Sequence, residues 1–255
     1  MAAWSKVDWV PCDCSSWHDI RWRGRILDVD SVIHFAACNP FPEASWEEAA
    51  VSMDMTNHLA TALLAGSRPQ RFVYISSNHV MGRYKDSIFG PADAAGSLTS
   101  DREPGVGTVW HSGLKRIDST AYATVKLAGE RCARALADAT NGRVTAVSLR
   151  IGWCQPGEND PSTLSAAGSV TIQRKDGDVE DPTLAETNRW FQEMWLSNRD
   201  LAILIDRSLL AAADSWPTPA VVVNGMSANS GMVWSLREGK EWLGYQPFDD
   251  VYQSL

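Results

Sequence analysis

Short apolar runs alternate along the chain with stretches whose apolar positions recur every three to four residues, which predicts strands alternating with helices. Residues 7–11 read as a short strand ending at Cys12-Asp13, and residues 31–37, Ser-Val-Ile-His-Phe-Ala-Ala, as a second and buried one. Between Ala44 and Gly66 the positions Trp46, Ala50, Met53, Ala60 and Leu64 follow helical spacing, with Gly66 as the stop. Asn57 falls on the same stripe. A polar side chain on a buried face needs partners, so Asn57 is expected to serve a neighbouring backbone, the site, or both. Residues 71–82 form a β-rich apolar run that stops at two hydroxyls, an amide and an imidazole: Ser76, Ser77, Asn78 and His79. A parallel strand covered on both faces has that composition.

A helix over 119–139 and a strand over 144–151 follow, then a helix over 186–195. The next helix begins near Ser197 or Asn198, either of which can cap it, with Leu201, Leu204, Ile205, Ser208 and Leu209 on one face. Residues 219–224 read as a late strand and 236–243 as a short helix, while 83–118 and 155–186 are polar and irregular, the latter a second mobile flap. The expected fold is α/β and Rossmann-like: a mostly parallel sheet with helices on both faces, in one domain over 1–255. Its substrate side is built from 83–118 and from a small C-terminal lobe over 153–255, because such sheets place ligands at the C-terminal ends of their strands.

The chemistry concentrates in residues 119–130, where Tyr122 and Lys126 stand four apart and share a helix face. A tyrosine with its ordinary pKa of about 10 is no base at neutral pH, but a fixed ammonium within about 4–6 Å favours the phenolate. Such a pair can deprotonate an alcohol as its hydride leaves. Taken alone, Tyr-x-x-x-Lys is a common accident; the hydroxyl-rich end of the 71–82 strand is what gives it weight.

Composition narrows the partners. A net charge of −8 with scattered basic residues argues against nucleic acid and anionic membranes, which leaves a small molecule. With no apolar run of spanning length and no signal-peptide core, the chain reads as cytoplasmic. Five cysteines at wide spacing suit reduced thiols, and the Cys12-x-Cys14 spacing is not a zinc pair, so no metal is expected. Among twelve tryptophans, Trp153, Trp190 and Trp195 fall near the expected ligand side, where they serve either as stacking walls or as core.

With Val32-Ile33-His34-Phe35-Ala36-Ala37, Ser76-Ser77, Tyr122-x-x-x-Lys126 and Leu149-Arg150-Ile151-Gly152 in that order, the chain resembles the extended short-chain dehydrogenase/reductases, the NAD-dependent epimerase/dehydratase superfamily. Residues 77–82, 194–197, 224–229 and 242–245 look more narrowly like uronate dehydrogenases. The resemblance implies Ser77 against the reacting oxygen, Tyr122 as base, and Lys126 lowering its pKa and holding the nicotinamide ribose. It places Asp13, Ala36, Ala37, Asn57 and Ile151 around NAD, with NADP left open. It puts Asn39, Asn78 and His79 on the sugar, and Arg189 on a substrate carboxylate. The reaction implied is oxidation of a hexuronate at C1 to the lactone. A sugar-nucleotide epimerase or dehydratase, and a catalytically silent binding protein, are the alternatives; a homo-oligomer is compatible with all three.

One departure stands at the front. The family begins with a glycine-rich βαβ unit, whereas the only glycine before Gly66 here is Gly24. The expectation is therefore an N-terminally truncated domain, entered at what would be its third strand, which binds the cofactor weakly.

Overall fold

The computed structural model describes residues 7–85, 94–112, 115–164 and 184–253. Its centre is a parallel sheet of β1 (Ser31–His34), β2 (Gln70–Ser77), β5 (Val144–Ile151) and β6 (Ala220–Gly225), in that spatial order. A separate antiparallel hairpin joins β3 (Val109–Ser112) to β4 (Lys115–Asp118). Helices α1 (Ile20–Arg23), α2 (Trp46–Ala65), α3 (Thr120–Ala139), α4 (Leu184–Glu193) and α5 (Asn198–Leu210) connect or cover the strands.

Alternation along β2 fixes what packs on each face. Phe72 and Tyr74 point towards α2 and α3, meeting Leu59, Leu63, Ala133 and Leu136. Val73 and Ile75 point the other way, meeting Leu204 of α5, Trp216 and Val223. Both faces are thus covered, so β2 and β5 are buried along nearly their whole length. A third apolar cluster lies beyond the C-terminal strand ends and gathers Val80, Met81, Trp110, Phe191, Met194, Met226 and Trp234.

Helix termini follow local chemistry. Ser45 and Glu48 form a reciprocal capping box at the start of α2, and Ser197, one of the two caps its sequence offers, accepts the Asp200 N–H at the start of α5. The buried face of α3 is built from small residues, Ala121, Ala123, Gly129, Ala133 and Ala137, which lets the helix approach the sheet closely. At Gly129 the approach is closest: a Cβ there would lie 2.2 Å from the Tyr74 ring.

Three expectations change. Residues 7–11 form no strand: Val7 and Trp9 are exposed and nothing pairs with their backbone, because a β-prone run without a neighbour has no ladder to join. Strand β1 is consequently an edge among the described residues, bonded only to β2, and Ile33 and Phe35 are exposed instead of buried. The 83–118 stretch is not wholly irregular, since it holds the β3–β4 hairpin, whose Trp110 and Ile117 are buried. Most of the proposed flap at 155–186 lies outside the described residues; its first part holds a short turn, Pro161–Thr163. No helix among the described residues is long and apolar enough to cross a membrane.

Replacing Gly129 by alanine tests the α3–sheet contact. Helix propensity alone favours alanine by about 1 kcal/mol, but the clash with a buried ring outweighs it, as overpacking costs about 1–3 kcal/mol. Gly129→Ala should therefore lower the melting temperature in a thermal unfolding scan; an unchanged or raised value would mean that Tyr74 moves aside freely.

Candidate active site

The first turn of α3 and the C-terminal end of β2 meet below the third apolar cluster. Ser77, the last residue of β2, pairs in register with Ile151 at the end of β5, so the two strand ends present their residues side by side. The chain then turns into a 3₁₀ segment, Asn78–Tyr84, whose first free N–H, that of His79, is accepted by Ser77 Oγ at 3.2 Å. The Asn78 amide nitrogen donates to the Ile151 carbonyl at 3.1 Å. A carbonyl only accepts, which fixes the amide orientation and leaves Asn78 Oδ1 buried with no partner.

Lys126 is buried and Tyr122 half-buried, one turn apart as their spacing predicts. Lys126 Nζ lies 5.6 Å from the Tyr122 ring centroid and 5.5 Å from that of Tyr74, and donates to the Ile75 carbonyl at 2.8 Å. The Ser77 hydroxyl makes a polar contact with the Tyr122 phenol. Desolvation is the larger influence on that phenol and raises its pKa above the ordinary value, while the Ser77 contact lowers it. The expected downward pull from Lys126 does not decide the direction. Burial also depresses Lys126 itself, to about 8.

A small pocket opens beside this pair, lined among others by Ala36, Ala37, Asn39, Thr56, Tyr74, Tyr122 and Lys126. Ala36 and Ala37 follow β1 after Phe35, and their small side chains leave room for a flat ring, so the residues present fit the nicotinamide-ribose end of a dinucleotide. The described residues put no glycine-rich turn against this pocket. Asn39 reaches the lining but is tied down, donating to Glu48 at 3.1 Å and accepting from the Phe41 N–H at 2.9 Å.

Not every expected residue arrives. Asn57 is exposed on α2 and takes no part in the lining; the buried stripe runs through Ala49, Thr56, Leu59 and Leu63, one position out of phase with the one expected, so Thr56 and Ser52 face the pocket instead. Trp46 and Leu64 are exposed for the same reason. Asp13 is exposed and holds a local turn, accepting from the N–H and hydroxyl of Ser15. Arg189 lies on the outer face of α4, two-thirds exposed, paired with the buried Glu193 carboxylate at 2.5 Å. Trp190 and Trp195 are buried; Trp153 is partly buried and packs edge-on against Phe191.

Residues missed by the sequence complete the site. His34 is buried and bonds Thr56 Oγ1 at 2.9 Å, with its pKa pushed down to about 4 by burial and by Lys126. Thr108, in the loop before β3, and Ser119, at the start of α3, both reach His79 Nδ1. A polar residue at the phase of Ala49 and Leu63 was the available signal for Thr56; no sequence signal marks Thr108.

The profile of the NAD dependent epimerase/dehydratase family matches residues 4–154. The chain belongs to that family. It is 32% identical over 222 residues to an L-arabinose 1-dehydrogenase (NAD(P)(+)) of Haloferax volcanii, covering 87% of this chain and 75% of that protein. A second relative from the same organism, an NAD-dependent glucose-6-phosphate dehydrogenase, is 26% identical over 236 residues, covering 89% of this chain and 71% of the relative. Among solved structures, a UDP-N-acetylglucosamine 4-epimerase from Bacillus cereus superposes with a TM-score of 0.56 at 15% identity, covering 94% of this chain and 80% of its own. At that identity the likeness concerns the fold. Uronate dehydrogenase does not emerge from these comparisons as the nearer subfamily; the family-level resemblance does.

The depressed Lys126 pKa gives a signed expectation. Between about 8 and the ordinary lysine value the unfolded chain holds more protons than the folded one, so this residue's contribution to stability rises with pH across that window. Comparing wild type with Lys126→Met should show the wild type gaining melting temperature relative to the variant from pH 7 to pH 10. A gap that is constant with pH would mean that Lys126 is protonated normally in the fold.

Proposed function

We propose that this protein oxidises a cyclic sugar at its anomeric carbon, with NAD as hydride acceptor, to give the lactone. The observation that carries the reading is that Tyr122 and Lys126 line one pocket whose other wall is Ala36 and Ala37, with the buried Ser77 against the Tyr122 phenol. Tyr122 Oη takes the proton of the anomeric hydroxyl as the hydride departs from C1. Ser77 Oγ, in contact with the same phenol, holds the reacting oxygen in line. Lys126, with Nζ anchored on the Ile75 carbonyl, supplies the positive field that favours the phenolate once its own proton is retained. Bound NAD supplies the acceptor for the hydride; Ala36, Ala37 and Lys126 would hold its nicotinamide end, with Ile151 at the neighbouring strand terminus.

On the substrate, the L-arabinose 1-dehydrogenase relative supports oxidation at C1. The hexuronate reading leans on Arg189 as carboxylate partner, and Arg189 gives its charge to Glu193 and to solvent. Asn78 presents an unpartnered acceptor oxygen beside Ser77, which suits a hydroxyl and repels a carboxylate. These two features favour a neutral aldose.

Purified protein incubated with NAD and, separately, L-arabinose, other neutral aldoses, hexuronates and UDP-sugars should form NADH with neutral aldoses, at a kcat/KM above that for the matching hexuronates. Higher kcat/KM for the hexuronates would restore the uronate assignment. Conversion of UDP-sugars without net NADH would instead make the protein an epimerase or dehydratase. Tyr122→Phe, which removes only the ionisable oxygen, should cut turnover about a hundredfold or more in a folded protein; undiminished turnover would remove Tyr122 from the mechanism.

A further inference from the structure

His79 sits between the reacting pair and the β3–β4 hairpin. Its ring stacks on Trp110 at 5.8 Å between centroids and meets the Tyr122 ring edge-on at 5.9 Å. Which ring nitrogen carries the proton follows from counting donors around Nδ1. Two hydroxyls converge there, Thr108 Oγ1 at 2.8 Å and Ser119 Oγ at 3.0 Å.

Thr108 is fully buried, and among the described residues its hydroxyl has no acceptor other than Nδ1. Ser119 is placed differently. Its oxygen accepts the Thr108 backbone N–H at 2.7 Å, and its own proton has a second acceptor, the Thr108 carbonyl, at 3.3 Å. If Nδ1 carried the proton, the Thr108 O–H would be left buried without an acceptor, an arrangement that folded proteins avoid. If Nδ1 is bare, both hydroxyls of the cluster have an acceptor, Nδ1 for Thr108 and the Thr108 carbonyl for Ser119. The proton then sits on Nε2, which has no partner among the described residues.

Gly82 is part of the same device. A Cβ at that position would lie 2.0 Å from Thr108 Oγ1, so only glycine in the 3₁₀ turn after His79 lets the threonine come this close. Burial keeps the ring neutral by lowering its pKa to about 3, so the arrangement does not alter across the working pH range.

We propose that Thr108 is a positioning residue that locks His79 in the Nε2–H tautomer, so that His79 offers the sugar a fixed, uncharged hydrogen-bond donor beside Tyr122. The inference about the tautomer stands on the cluster itself; its consequence for the sugar rests on the reaction proposed above. His79 and Asn78 directly follow Ser77, and a donor at Nε2 with an acceptor at Asn78 Oδ1 matches a sugar that offers one oxygen as acceptor and a neighbouring hydroxyl as donor. That makes the recognised class a polyhydroxylated ring bearing vicinal oxygens, rather than a simple alcohol.

Long-range proton–nitrogen NMR of the full chain, with no substrate present, reads the tautomer directly. The wild type and Thr108→Ser, which keeps the hydroxyl, should show the His79 proton on Nε2; Thr108→Val should shift the population towards Nδ1–H, with Ser119 as acceptor. A wild-type proton on Nδ1 would overturn the proposal whatever the substrate proves to be. With a sugar that turns over, Thr108→Val should raise KM roughly three- to tenfold, the loss of one neutral hydrogen bond, with a smaller change in kcat, and Thr108→Ser should restore KM. An unchanged KM in Thr108→Val despite a shifted tautomer would overturn the role towards substrate. If Thr108→Val does not fold, Ser119→Ala carries the NMR test: the proton should stay on Nε2, because Thr108 alone still donates to Nδ1, and its appearance on Nδ1 would overturn the assignment to Thr108.

Discussion

A single buried ion pair ties together the elements on which the site stands. Arg150 on β5 grips Glu130 on α3 with two parallel hydrogen bonds, at 2.8 and 2.9 Å, and both side chains are almost completely buried. Ser76 of β2 donates to the same carboxylate at 2.6 Å, and the third guanidinium nitrogen donates to the Ser100 carbonyl at 3.2 Å. Burying two charges adds little net stability, but losing either partner strands the other and costs about 3–5 kcal/mol. What the pair secures is therefore geometry. Glu130 lies one turn beyond Lys126 and two beyond Tyr122, while Ser76 and Arg150 immediately precede Ser77 and Ile151, so the pair sets the helix against the strand ends at the level where the reaction takes place.

How far the sequence discloses this depends on the kind of signal each element carries. Strands β2, β5 and β6 are legible because both of their faces are covered, and a continuous apolar run that ends in polar residues fits little besides a buried parallel strand. Helix α3 is legible from Tyr122 and Lys126. Helix α2 is not legible in detail: alanines and methionine populate several of its faces, so the periodicity is compatible with two phases one residue apart, and the choice that admits Asn57 excludes Thr56. Arg189 fails for a related reason. A basic residue on a helix can satisfy an acid one turn away as readily as a ligand, and Glu193 is that acid.

The hairpin and the His79 cluster are hidden because their partners are distant in sequence and individually ordinary. Thr108 and Ser119 are a threonine and a serine in polar stretches, and only the fold brings both hydroxyls to one imidazole nitrogen. The acid–base balance of the pair at the centre is likewise not a matter of spacing alone. Four residues of separation deliver the ammonium to the phenol ring, yet burial governs both groups, raising one and lowering the other.

Strand β1 has a consequence of its own. It supplies the backbone that leads into Ala36 and Ala37, the wall of the pocket, and among the described residues it is also the sheet's outermost strand, with a free ladder edge and an exposed Ile33. Any strand that pairs along that edge and any ligand that rests on that wall order the same few residues. Whatever ordering the first accomplishes, the second is spared, and the converse holds equally, so occupancy of the edge and occupancy of the pocket are thermodynamically linked. An apparent affinity for the ligand is then a property of the sheet's company as much as of the pocket's lining.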